Sequence, residues 1–143
     1  MTREYSSISV ETTLAGSLSN SATTMTVAAG TAAALLGGVT LDAGNVDIFT
    51  VAIDPDTSSE EICYITANSG NDFTIVRGQA GSTAIAHNSG ATVKHVLTSS
   101  DLIFFRDGVA VADGAIPEST VTTKGDLLAA TGSAAVTRVG LGT

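Results

Sequence analysis

Tryptophan is absent from these 143 residues, cysteine occurs once, proline twice, and only 14 % of the chain is charged. Each shortage excludes something. A single cysteine, Cys63, leaves no intrachain disulfide to staple a small core. It sits in the strand-like run "EEICYIT" with no His or Asp close in sequence, so it reads as an inert packed thiol. Six basic residues stand against 14 acidic ones, for a net charge of −8, and they are scattered from Arg3 to Arg138. Nucleic-acid binding needs a clustered basic face, so no nucleic-acid partner is expected. The opening "MTREYSSISV" lacks the apolar centre of a signal peptide. The most apolar run, Val27–Val39, is too short and glycine-rich to span about 30 Å of hydrocarbon. The expectation is a soluble, cytoplasmically made protein with no membrane partner.

Aromatic residues make up 4 % of a chain that is 43 % hydrophobic, so the apolar content is mostly Ala, Val, Leu and Ile. Large anchors are confined to Phe49, Phe73, Phe104, Phe105, Tyr5 and Tyr64. A core of small residues stabilises a single chain thinly, and partner subunits that bind only the folded form would add to it by mass action. The length fits one compact domain with an appendage.

What is abundant is Ser, Thr and Gly, the usage of short strands and tight turns. "SISVETTL" alternates Ile8, Val10, Thr12 and Leu14 on one face, and "ATTMTVAA" does the same with Met25 and Val27. "AGSLSNS" between them suggests a hairpin. Thr31 is placed to cap one helical turn over Ala32–Leu36 before Gly37 and Gly38 end it. "VDIFTVAID" is apolar on both faces, as a central strand is, and Pro55 stops it. "EEICYITANSGNDFTIVRG" reads as two strands turning at Asn68–Asn71, and "ATVKHVLT" as another, with Val93, His95 and Leu97 on one face. About six strands at short spacing predict a mainly β fold, a small antiparallel sandwich or barrel.

The texture changes after Leu97. Ser99 or Ser100 is placed as an N-cap, Asp101 in a first turn, and Leu102, Phe105 and Val109 follow at helical spacing, predicting a short helix that leaves the β domain. The competing reading is a hairpin about Asp107–Gly108. Pro117 marks a break, after which Asp126–Thr131 and Val136–Leu141 form two extended runs around "GSAA". An isolated hairpin is marginal in water, so this segment needs oligomer partners. The expected division is a β domain over 5–98, a short helix and linker over 99–118, and a C-terminal β segment over 119–143.

The chemistry-bearing residues fit no catalytic pattern. In "TIVRGQAGSTAIAHNSGATV", Gly78, Gly81, Ser82, Arg77 and His87 suggest a phosphate cradle, a nucleophile with its base, or plain hairpin architecture. A P-loop needs a lysine that "GQAGST" lacks, and no G-x-S-x-G elbow occurs in the chain. His87 stands beside Asn88-Ser89-Gly90 and is expected to be a solvated turn histidine, with Ser82 a turn residue. His87 and His95 are too few for a usual zinc site. Asp54, Asp56, Ser58 and Glu60 alternate like a calcium loop, but Ser59 replaces its glycine and Ile65 its bidentate glutamate, so the loop reads as a solvated face. No catalytic, cofactor-binding or metal residue is assigned, and no enzyme is expected.

Two stretches carry more as a pattern. "TTKGDLLAATGSAAVTRVGLGT" resembles the T-x-K-G-D-L segment that recurs in tailed-bacteriophage fibre and other virion proteins. "LAGSLSNSATTMTVAAG", with "ICYITANSGNDFTIVRGQAGSTAIAHNSGATVKHV", resembles a small β domain of phage tail, baseplate and head-fibre proteins, with its V-x-R-G-x-x-G-[ST]…H-x-x-G-[AT]-x-V ending. The resemblance implies a non-enzymatic virion structural protein, commonly a homotrimer, with other virion proteins as partners and the N-terminal part attached to capsid or tail. In such proteins the GDL segment usually continues, so the chain is expected to be unusually short or a portion of a longer fibre. The alternative is a tail or baseplate module that recognises a host polysaccharide or protein. The lack of Trp and the presence of only two Tyr weigh against a glycan site.

Overall fold

A computed structural model describes residues 2–41, 47–112, 127–132 and 135–139, with side chains described up to residue 108. Its first compact unit, Met1–Ile103, is mainly β. The strands are β1 (Thr2–Glu4), β2 (Thr12–Thr13), β3 (Thr24–Thr26), β4 (Asp47–Ile53), β5 (Glu61–Ser69), β6 (Asp72–Gln79) and β7 (Thr92–His95), with a short helix α1 (Ala32–Leu36) after β3. They form one sheet in the order β2-β7-β4-β5-β6-β3, every neighbour antiparallel, and β1 adds to β4 in parallel.

The sheet curls until its two ends meet. Leu14 and Val27 form a bridge, flanked by bonds from Ala15 N to Thr26 O and from Ala28 N to Thr13 O, both 2.9 Å. The hairpin read from "SISVETTL" and "ATTMTVAA" is therefore reduced to this bridge, and its strands pair mainly elsewhere, β2 with β7 and β3 with β6. Of the two architectures left open by the sequence, the curled, barrel-like sheet is the one formed. Among the described residues, joining the ends leaves no long unpaired edge on the ring, which removes the usual template for aggregation.

Side-chain alternation builds the interior. Phe49, Val51 and Ile53 of β4 face the main core with Ile65, Phe73 and Val93, while Ile48 and Ala52 on the other face pack with Ile62, Tyr64 and Val96. Hence β4 is buried at every residue, as a strand apolar on both faces must be. Helix α1 plugs the core with Ala32, Leu35 and Leu36 and ends at Gly37, whose φ of 55° is left-handed. Thr31 precedes it without a side-chain cap, its hydroxyl donating to Ala28 O instead. The β5–β6 hairpin turns at Gly70 and Asn71, as read from the sequence.

After β7 the chain enters helix α2 (Ser99–Ala112), so the helical reading holds over the hairpin about Asp107–Gly108. The cap is Thr98, not Ser99 or Ser100. Its hydroxyl accepts from Asp101 N at 3.3 Å and the Asp101 carboxylate accepts from Thr98 N at 2.9 Å, a reciprocal capping box that neither serine can make from its position. The second compact unit, Phe104–Thr143, holds the rest of α2 and an antiparallel hairpin of β8 (Leu127–Gly132) and β9 (Ala135–Val139), matching the two extended runs in the sequence. Pro117 and the linker around it lie outside the described residues. No helix among the described residues is long and apolar enough to cross a membrane.

Candidate functional site

The glycine-rich stretch after β6 closes on a buried carboxylate. Glu61 begins β5 on the same face as Cys63 and Ile65, and period two therefore turns it into the barrel, where it is fully buried. A lone carboxylate there would be costly, and Arg77 offsets it with a bidentate pair, Nε to Oε1 and Nη2 to Oε2, both 2.7 Å. Backbone amides add to this, Gly78 N donating to Oε1 at 2.9 Å and Ile85 N to Oε2 at 3.1 Å. Burial acts to raise the Glu61 carboxyl, but the Arg77, Ile85, His87 and Gly78 hydrogen bonds outweigh it and hold it at about 2.

A bulge makes this possible. Between the pairs Ile62↔Gln79 and Tyr64↔Val76, two β6 residues, Arg77 and Gly78, oppose the single residue Cys63. Gly78 has φ 61°, and a Cβ there would stand 3.2 Å from Ala84 N. Glycine thus lets the strand bend so that the arginine and the next amide both address Glu61.

His87 is the main departure from the sequence reading. It is buried, not solvated, at 3 % exposure. Its backbone is bridged to Leu18 in both directions at 2.9 Å. Its Nδ1 lies 2.8 Å from Asp54 Oδ2 and its Nε2 3.0 Å from Glu61 Oε2. Ionised carboxylates only accept, so both contacts are hydrogen bonds only when both ring nitrogens carry protons. The side chains stand in a line, Asp54, His87, Glu61, Arg77, and Arg77 Nη1 and Nη2 also reach Ser19 O and Ile85 O at 2.6 Å.

The pairings proposed for chemistry do not form. Ser82 Oγ donates to Gln79 O at 2.8 Å and accepts from Ile62 N at 2.9 Å, while both His87 nitrogens face carboxylates, so serine and histidine are not a dyad. Ser82 is a turn residue, as expected. Asp54 turns to His87, and Glu60 accepts from Asp56 N at 2.7 Å, so the acidic loop spends these carboxylates within itself and on the network. Asp54 and Asp56 both have left-handed φ, 52° and 60°. Among the described residues no three His, Cys, Asp or Glu are grouped to hold a metal ion. Burial, followed by the Glu61 charge, pushes the Cys63 thiol up to about 12, far from the thiolate that nucleophilic chemistry needs.

A second polar cluster joins the chain's start to helix α2. Asp101 is 1 % exposed and accepts from Arg3 Nη1 at 2.7 Å, Thr50 Oγ1 at 2.9 Å and Thr98 Oγ1 at 2.6 Å. The Arg3 guanidinium lies 4.5 Å over the Tyr64 ring. Burial acts to raise the Asp101 carboxyl, but the Thr98, Thr50 and Arg3 contacts hold it below its ordinary value. Nearby, His95 stacks on Phe49 at 4.2 Å and its Nδ1 meets Thr50 O at 2.8 Å. It borders an open groove of about 380 Å³ with Tyr5, Ser6, Ser7, Val96 and Leu97.

Sequence reasoning missed strand β1, Glu61 and the Arg3–Asp101 pair. Glu61 had a signal, a carboxylate in phase with Cys63 and Ile65 inside an apolar alternation. Asp101 had one too, three residues after Thr98. Arg3 had none. No protein-family model matches the chain, and no curated protein matches it.

Proposed function

We propose that this chain is a non-enzymatic structural protein of a tailed-bacteriophage virion, the particle-anchoring N-terminal part of a head fibre, capsid decoration or tail fibre that assembles as a trimer. One observation carries the reading. In the R-G-x-x-G-S…H-x-x-G pattern that resembles phage β domains, Arg77, Gly78 and His87 all converge on the buried Glu61. Residues committed to a largely buried polar network are suited to rigidity, and a barrel with its ends joined is suited to docking under load. The partners on this reading are copies of the chain and other virion proteins, with no cofactor, nucleic acid or membrane, and the mechanism is assembly without turnover.

Antibodies raised against the purified chain provide the test. They are expected to decorate intact particles of the encoding phage in electron micrographs, at the head or the tail, and that position identifies the docking partner. Particles left bare, with the protein found only in the soluble fraction of infected cells, would overturn the proposal.

A further inference from the structure

We propose that His87 is a proton-operated clasp, which holds the acidic loop of residues 54–60 to the strap of residues 80–91 while its ring carries two protons and releases that loop when one leaves. The ring stands between two carboxylates, Nδ1 2.8 Å from Asp54 Oδ2 and Nε2 3.0 Å from Glu61 Oε2. A neutral imidazole has one N–H and one bare lone pair, so it serves only one of the two. The two sides are not equivalent. Glu61 and the ring are fully buried where they meet, whereas the Asp54 side chain is 29 % exposed. Facing a lone pair, Glu61 would be a buried carboxylate stripped of a donor, while Asp54 can turn to water. The neutral ring therefore keeps its proton on Nε2, and the contact that fails is the one to Asp54.

Backbone strain makes the loop responsive to that loss. Asp54 and Asp56 sit at left-handed φ of 52° and 60°, a conformation that residues with a Cβ keep only where their surroundings hold them. Beyond Asp54 N, which stays on Thr92 O at 2.9 Å, the loop's bonds are internal: Thr57 Oγ1 to Asp54 O at 2.8 Å, Asp56 N to Glu60 Oε2 at 2.7 Å and Ser59 N to Thr57 Oγ1 at 3.1 Å. The strap stays behind, because backbone bonds fasten it: His87 N and O to Leu18, Gly90 N to Leu14 O and Ala91 O to Leu14 N, each 2.9 Å. The charged and titratable groups that bear on the ring come from three strands. They are Asp54 at the end of β4, Glu61 and Cys63 of β5, the thiol donating to Glu61 Oε1 at 3.4 Å, and Arg77 of β6, paired with Glu61. Among the described residues, the segment through Leu18 brings only backbone to His87. With the ring neutral, Glu61 still has Arg77 and two backbone amides. The barrel therefore stays folded, and only the surface loop, with its exposed Asp56 and Glu60, changes shape.

The clasp depends neither on assembly nor on a virion, and the full chain tests it. Nitrogen-15 NMR follows both His87 ring nitrogens from about pH 5 to 9, a range that brackets ordinary histidine titration. Amide exchange, corrected for its intrinsic pH dependence, follows the loop at Asp56, Ser59 and Glu60 and the barrel at Cys63 and Ile65. The expected result is loss of the Nδ1 proton first, with loop protection falling about tenfold in step with it and the barrel amides unchanged. In Asp54→Asn the carboxamide accepts from a protonated Nδ1 and donates to a bare one, and asparagine tolerates the left-handed φ. Its loop should therefore stay protected across the whole range. Loss of the Nε2 proton first, a ring that does not titrate, loop protection that does not follow the ring, equal loosening of β5, or an Asp54→Asn loop that still opens with pH each overturns the clasp.

Discussion

Arg3 and Asp101, 98 residues apart in the chain, meet at 2.7 Å in a nearly sealed ion pair whose side chains are 9 % and 0 % exposed. The pair ties the parallel strand β1 to the first turn of α2, so the root of the helix is set by the beginning of the chain.

Arg3→Ala is therefore expected to act on the helix more than on the barrel. Removing one partner of a buried pair typically costs about 3 kcal/mol because the other charge is left uncompensated. Hydrogen exchange should show faster exchange across Leu102–Phe105, with β4–β6 amides slowed as in the wild type. Equal acceleration in β5 and α2 would show that the pair supports the whole fold instead of the helix root.

Acid stability follows from Glu61. Its folded value of about 2 lies below the ordinary 4.5, so its stabilisation is complete above about pH 4.5 and is withdrawn as the pH falls toward 2. The shift corresponds to roughly 3 kcal/mol. Asp101 is shifted in the same direction and adds to the slope. Urea midpoints are expected to be flat from pH 7 to 5 and to fall steeply below 4. In Glu61→Gln the slope should be shallower and the neutral-pH stability lower by about 3 kcal/mol, since Arg77 and His87 lose their shared anion.

Gly78→Ala tests the bulge. A left-handed φ of 61° and a Cβ 3.2 Å from Ala84 N oppose the substitution together, for a cost of about 1–3 kcal/mol. Gly81→Ala, at φ 87° but with open space around it, shares only the backbone strain and is expected to cost less. Equal losses in thermal denaturation would show that close approach contributes nothing.

Cys63 is expected to resist alkylating reagents in the native protein, since it is fully buried and its thiol stands at about 12. Labelling should follow the unfolding transition in urea. Rapid labelling in buffer would contradict the placement of the thiol beside Glu61.

Local pattern reached most of the fold because most of the fold is locally encoded. The two apolar faces of β4, the turn at Gly70 and Asn71, and the helical spacing of Leu102 and Phe105 are each written within about ten residues. The order of strands is not. Thr12 meets Val93 and Leu18 meets His87, pairings chosen by how the whole sheet curls. For the same reason Asn88-Ser89-Gly90 truthfully signalled a turn and misled about exposure. Turn chemistry reports backbone angles, and His87 was drawn inward by Asp54 and Glu61, 33 and 26 residues away.

The bridge between Leu14 and Val27, and the pairing of β2 with β7, also set a timetable. Residues 12–18 leave the ribosome early, yet their partners at 87–93 are made some 75 residues later. Contacts this distant in sequence form slowly, because loop closure precedes any reward. Strand β2 must wait for β7, although β1 and β3 find β4 and β6 sooner. The last strand to arrive before α2 is the one that fastens β2.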